Sequence, residues 1–171
     1  QVSSLRDIVT LMDTEGIRKD TVTYNSLIKA QVKDLYAGLR SFYKIEANGL
    51  RRSVISFTNV IGHCSHHEEW ERALDFLHEM KQCNLQPSLQ IINHVAAACA
   101  NANQPVRALR IMELAEKKSL QLNLVSYQIQ MTAYRRARNW AKAEEVFVAL
   151  ASKSLQPTIP LYNALLACME E

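Results

Sequence analysis

His63-Cys64-Ser65-His66-His67 is the one run in this 171-residue sequence whose side chains resemble a metal-binding constellation. His63 and His67 would share a face of any helix that continued through both. A structural zinc ion takes four ligands, and the sequence offers no correspondingly spaced ligand outside the run. Cys64 instead stands in register with Cys99 on an apolar stripe, so the thiol reads as a core residue and the histidines as turn residues. The four cysteines, Cys64, Cys83, Cys99 and Cys168, include no CxxC pair, which argues against a disulfide framework and fits a reducing compartment. Glycine-rich phosphate loops, GxSxG and HExxH are all absent. Acid pairs such as Glu144-Glu145 fall on the polar face of a helical pattern. These residues predict no catalysis, no metal and no cofactor.

The elements that carry them repeat. TYNSLIKAQ from Thr23, SFTNVIGHC from Ser56, IINHVAAAC from Ile91, SYQIQMTAY from Ser126 and LYNALLACM from Leu161 align, and their second residues are spaced by 33, 35, 35 and 35. Apolar residues at offsets zero, three, four and seven, as in Phe57/Val60/Ile61/Cys64, mark an amphipathic first helix. A second stripe follows in each unit: Gly38/Ser41/Phe42/Ile45, Ala73/Phe76/Leu77/Met80, Ala108/Ile111/Met112/Ala115 and Ala143/Val146/Phe147/Leu150. Short polar turns join the two helices. Gly16, Gly49 and Asn84 can supply the left-handed residue that ends a second helix, and Pro87 and Pro157 block its continuation.

The pattern predicts an all-α solenoid of antiparallel hairpins with complete units at 21–53, 54–88, 89–123 and 124–158. Residues 1–20 (Leu5/Ile8/Val9/Met12) read as the second helix of a preceding unit, and 159–171 (Tyr162/Leu165/Leu166/Met169) as the first helix of a following one. The chain reads as a segment of something longer, with apolar ends that call for further repeats or a docked protein. Only four glycines and four prolines leave few turn signals for an all-β fold. A net charge of +3 permits a polyanionic partner without demanding one. No run approaches the roughly 18 apolar residues of a membrane span, and Asp7 and Asp13 argue against an N-terminal targeting peptide in this stretch. No membrane or small-molecule partner is expected.

VTYNSLI at Val22 to Ile28, EMKQCNLQPS at Glu79 to Ser88 and AEEVFVALASKSLQPT at Glu144's unit, from Ala143 to Thr158, resemble pentatricopeptide repeats, and the likeness covers nearly the whole chain. The Trp-Leu-Gly-Tyr pattern of the tetratricopeptide type is missing from the first helices, and Trp70 and Trp140 begin second helices instead. The resemblance implies a right-handed α-α superhelix that binds single-stranded RNA, one base per unit. It implies that the residue after the first-helix aromatic and the unit's last residue face the base together. Those pairs are Asn25 with Ser53, Thr58 with Ser88, Asn93 with Asn123, and Gln128 with Thr158, while Asp20 closes the preceding unit and Asn163 opens the next. Amides and hydroxyls suit this task because they hydrogen-bond the Watson–Crick edge of an unstacked base.

In the family, Asn with Ser or Asn tends to read C or U, and Thr in the first position a purine; Gln128 with Thr158 departs from the familiar combinations. The second residue of each unit wedges between bases, a role that Val22, Ile55 and Val125 suit, as Pro160 could and Gln90 does not. Arg18, Lys19, Arg51 and Arg52 stand just before unit-closing residues, where they would meet phosphates. Gln86, Gln121 and Gln156 replace the Arg18/Arg51 position in later units. Two functions are expected from the resemblance: RNA binding in mitochondria, with plastids the second choice, or a protein scaffold within an organellar ribonucleoprotein such as the mitochondrial ribosome.

Overall fold

The computed structural model describes residues 5–152 and 156–169; within them the side chains of Leu5, Arg6, Ala151, Ser152, Cys168 and Met169 lie outside the described residues. Among the described residues there are ten helices and no strand: α1 (Leu5–Thr14), α2 (Thr21–Ala30), α3 (Leu35–Ala47), α4 (Val54–His66), α5 (Trp70–Gln82), α6 (Leu89–Asn101), α7 (Pro105–Lys117), α8 (Leu124–Arg136), α9 (Trp140–Ser152) and α10 (Ile159–Met169). The even-numbered helices are the first helices of the units, and the odd-numbered ones the second.

Four of the first helices, α2, α4, α6 and α8, begin at side-chain caps. Asp20 accepts from the Thr23 N–H (2.7 Å), Ser53 from Ser56 (3.3 Å), Ser88 from Ile91 (3.4 Å) and Asn123 from Ser126 (3.1 Å). Ser53/Ser56 and Asn123/Ser126 are reciprocal capping boxes. Helices α1, α3, α5 and α7 end at a left-handed residue that recurs at one place in the unit: Gly16, Gly49, Asn84 and Ser119, with φ between 57° and 73°. In each case the next residue's N–H returns to the carbonyl five positions back, as in Leu85 to Met80 (3.1 Å) and Leu120 to Ala115 (3.1 Å), a Schellman closure. Ser119 ends α7 without a sequence signal for it, since serine has little intrinsic preference for this conformation. Glu68, Asn103 and Arg138 take the same conformation in the turns between paired helices.

The 33-residue spacing of the first unit is explained at α2, which has 10 residues where α4, α6 and α8 have 13. The turn after it, closed by the Asp34 cap of α3, is one residue longer than the later turns.

Each hairpin packs internally, and α2, α4, α6, α8 and α10 pack on one another in succession. No consecutive pair of second helices comes comparably close. An α-α solenoid results, with the first helices as its tight inner layer and the second helices splayed outside. The core runs along the stack in three clusters, Ile28, Phe42, Phe57, Met80 and Ile91 in the first, Cys99 and Met112 in the second, and Met131 and Leu150 in the third, all at most 1% exposed, with Trp70, Ile92 and Ile111 bordering the first two. Phe42 is wedged edge-on between Phe57 (5.3 Å) and Phe76 (5.1 Å) across three helices, a geometry worth roughly 0.5–1.5 kcal/mol per pair beyond burial.

Tyr24, Phe57 and Tyr127 are buried, as expected of the recurring aromatic position. Tyr162 departs from them at 50% exposed: α10 turns Leu161 into the core instead and lays Tyr162 edge-on against Phe147 (5.1 Å).

Candidate nucleic-acid interface

Stacking of the first helices decides what their N-terminal ends present. The unit-closing residues Asp20, Ser53, Ser88 and Asn123 are the N-caps of α2, α4, α6 and α8. Thr158 precedes α10, its carbonyl accepting from the Tyr162 N–H (3.2 Å). Val22, Ile55 and Val125 are the second residues of their helices, and Asn25, Thr58, Asn93, Gln128 and Asn163 the fifth. One turn apart on the same helix, the second and fifth positions neighbour each other on its surface. Between α6 and α8 the stacking brings the fifth residue, Asn93, to the following cap, Asn123.

Val22, Ile55 and Val125 are 69%, 61% and 52% exposed at one recurring place in their units. Gln90 and Pro160 occupy the equivalent positions and are exposed too.

The polar pairs differ in how far they are joined. Asn93 and Asn123, 30 residues apart in sequence, are hydrogen-bonded to each other (3.3 Å). Ser126, fully buried, donates to Asn93 Oδ1 (2.9 Å) and also contacts Asn123 Oδ1 (3.1 Å). In the first unit Ser53 is occupied by its capping box with Ser56, and Asn25 Oδ1 is buried without a hydrogen-bond partner. Asn59 Nδ2 holds the Asn25 backbone carbonyl instead (3.1 Å). Thr58 turns its hydroxyl back to the Val54 carbonyl (2.8 Å) while Ser88 caps α6. Gln128, Thr158 and Asn163 are exposed. Asp20, bonded to the Thr23 amide and hydroxyl, has its carboxyl pKa held below the usual value by those bonds. Sequence reasoning missed Ser126 and Asn59. The recurrence of Thr23, Ser56 and Ser126 three residues after a cap was the available signal for the first.

The basic residues divide within each pair. Arg18 and Arg51 are exposed. Lys19 is ion-paired with Asp13 and its side chain is only 10% exposed. Arg52 pairs with Glu79 and with Glu46 (2.7 Å), and its guanidinium lies over the Phe42 ring (4.5 Å). Lys19 and Arg52 thus neutralise carboxylates within the fold, which leaves Arg18 and Arg51 as the exposed members of the two pairs.

His63 is buried against Gly38, and its imidazole pKa is lowered chiefly by desolvation. Burial likewise pushes the Cys64 and Cys99 thiols up to about 12 and about 11. Among the described residues no group of three His, Cys, Asp or Glu side chains is placed to hold a metal ion.

Residues 7–67, 75–127 and 110–170 match the pentatricopeptide repeat domain model, and 55–85 match the single PPR repeat. Two pentatricopeptide repeat-containing proteins of Arabidopsis thaliana, one labelled chloroplastic, are each 24% identical over 93% and 94% of this chain. The chain spans about a quarter of their length, 28% and 21% respectively. Among solved structures, PPR10 in complex with an 18-nucleotide psaJ RNA element superposes with a TM-score of 0.84 at 17% identity, over 98% of this chain and 25% of that one. The PPR domain of Arabidopsis thaliana protein-only RNase P 1 in complex with tRNA superposes at 0.79 with 14% identity, over 98% and 89% of the respective chains. Repeat period, helix pairing and a family model that spans most of the sequence lead to one conclusion: the chain belongs to the pentatricopeptide repeat family.

Proposed function

We propose that this chain binds single-stranded RNA along the N-terminal ends of its stacked first helices, one nucleotide per complete unit, as part of organellar RNA metabolism. The observation that carries the reading is the array of exposed Val22, Ile55 and Val125, each one turn from a polar fifth residue. Apolar side chains at intervals can insert between unstacked bases while neighbouring amides or hydroxyls meet base edges. The pairs Asn25/Ser53, Thr58/Ser88, Asn93/Asn123 and Gln128/Thr158 are the proposed base-facing groups, with Asp20 and Asn163 serving adjacent units. Exposed Arg18 and Arg51 supply phosphate contacts at the N-terminal half. RNA in the complexes of PPR10 and of the RNase P 1 PPR domain supports the class of ligand. One chloroplastic relative supports an organelle, mitochondria being the first choice here and plastids the second.

The test is selection from a randomised single-stranded RNA pool at two salt concentrations, with duplex RNA as competitor. Enrichment of a short motif that depends on Asn25 and Asn93 is expected. Binding that is motif-free and disappears at higher salt would refute base reading.

A second reading, a protein-docking scaffold within a ribonucleoprotein, is favoured by an apolar groove on the outer layer. Leu77, Ile92, Ile111 and Leu114 line it between α5 and α7, and Leu114 is 51% exposed. Under this reading Leu114→Glu removes the protein from its complex without altering RNA affinity; retention in the complex counts against it.

A further inference from the structure

We propose that Ser126 is a positioning residue for base selection by the third complete unit: it orients the paired amides of Asn93 and Asn123 so that this unit favours a base with adjacent hydrogen-bond acceptors. The inference rests on the reading of that pair as base-facing.

Backbone donors determine which way both amides point. Asn123 Oδ1 accepts the Ser126 backbone N–H (3.1 Å), so the Asn123 carbonyl faces its own helix and the Nδ2 group is turned away. Ser126 Oγ accepts the Asn123 backbone N–H (3.3 Å), and of the two amide oxygens within reach of its one proton Asn93 Oδ1 (2.9 Å) is nearer than Asn123 Oδ1 (3.1 Å), which already accepts the Ser126 N–H. With that oxygen held, Asn93 turns its Nδ2 toward Asn123 Oδ1 (3.3 Å). Both amide oxygens are thus engaged inside the protein. Asn123 is exposed, and its Nδ2 carries the hydrogens available to a ligand.

A surface that offers N–H groups pairs best with adjacent acceptors. On the Watson–Crick edge only cytosine has them, at N3 and O2; uracil interposes an N–H between its carbonyls, while adenine and guanine set a donor beside an acceptor. The arrangement is particular to this unit. In the first unit the equivalent Ser56 bonds to Ser53, and Asn25 Oδ1 is left without a partner. In the second unit the position is Ile91, which has no hydroxyl.

A purely capping role for Ser126 would make its loss weaken all RNAs alike, whereas an orienting role changes the ratio between bases. The experiment selects the 171-residue chain, and its Ser126→Ala, Ser126→Cys and Ser126→Thr variants, against a randomised single-stranded RNA pool. Titrations of the winning oligonucleotide follow, with each base placed at every position. The wild-type chain is expected to favour cytosine at one position. Ser126→Ala should reduce that preference by up to about tenfold, the scale of one net hydrogen bond, with the other positions unchanged. Ser126→Thr should restore it. Circular dichroism verifies folding, and near-isosteric Ser126→Cys provides the same comparison should the alanine variant unfold. A wild-type motif that survives both hydroxyl deletions would overturn the role of Ser126 while leaving base reading intact. Absence of any motif with the wild-type chain would refute base reading and this inference with it.

Discussion

Replacing Arg51 and Arg52 one at a time by alanine should separate ligand affinity from stability in two adjacent residues. The Arg52 guanidinium is packed over Phe42, bonded to Glu79 and Glu46, and its side chain is 10% exposed. Its removal forfeits a desolvated cation–π contact of about 1–2 kcal/mol and leaves Glu79, 34% exposed on its side chain, without that partner. The Glu46 carboxylate is 72% exposed, so its pair adds less than about 1 kcal/mol. With the lost packing of the aliphatic stem, the total is about 2–4 kcal/mol, or roughly 5–15 °C in melting temperature for a chain of this size. Arg51 is exposed and should cost almost nothing in stability. In RNA titrations over a salt series Arg51→Ala should instead lower affinity and flatten the slope of log K against log salt by about 0.7, the counterion release of one single-strand phosphate contact. Thermal melts and salt-dependent titrations on both variants decide the matter. A lower melting temperature for Arg51→Ala, or an Arg52→Ala variant that melts normally but loses its salt-dependent affinity, would refute the assignment.

Gly38→Ala should destabilise the solenoid by about 1–3 kcal/mol in urea unfolding, since the added Cβ would fall 2.7 Å from Cε1 of buried His63. In a His63→Ala background the same change should become neutral or stabilising, because only the helix propensity gain of up to about 1 kcal/mol remains; an equal loss in both backgrounds would contradict that contact. His63 and His94 both titrate below the usual 6.5 because burial disfavours their charged forms. The unfolded chain therefore binds protons first: stability is full above about pH 6.5 and declines as pH falls from there through the lowered folded values. Melting curves from pH 8 to 5 should show this decline and His63→Gln should reduce it, whereas a flat wild-type profile would dismiss the burial argument. Exposed Cys83 should react rapidly with a thiol reagent in the native chain, while Cys64 and Cys99 wait for unfolding. Mass spectrometry of labelled peptides distinguishes them, and early labelling of Cys64 would contradict its place in the core.

The repeat and its helices were legible because their signals are local. Apolar spacing such as Phe57/Val60/Ile61/Cys64 sets which face a helix must bury, and Gly16 and Gly49 allow the chain to reverse wherever they stand. Ser119 shows the limit of that reading, since the closure around it follows from Leu120 returning to Ala115 rather than from serine itself. The candidate site was legible as positions in a unit but not as states of those residues. Arg51 and Arg52 have the same chemistry in sequence. One faces solvent and the other fills a seam with Phe42 and Glu79, because consecutive residues point in different directions and only the neighbouring hairpin defines which direction is inside. Asn25 and Asn93 look alike in their units as well. Whether an amide is held or left with an orphaned oxygen depends on Ser126 or Ser56 arriving from the next helix, a contact made only when hairpins stack. Sequence by itself determined the period, the helix pairs and the places where a ligand could be met. Tertiary structure decided which cations and amides remain available there, since Arg52 meets Glu79 and Asn93 meets Ser126 from more than 20 residues away, and even the Lys19–Asp13 pair forms only where α1 turns back on the start of α2.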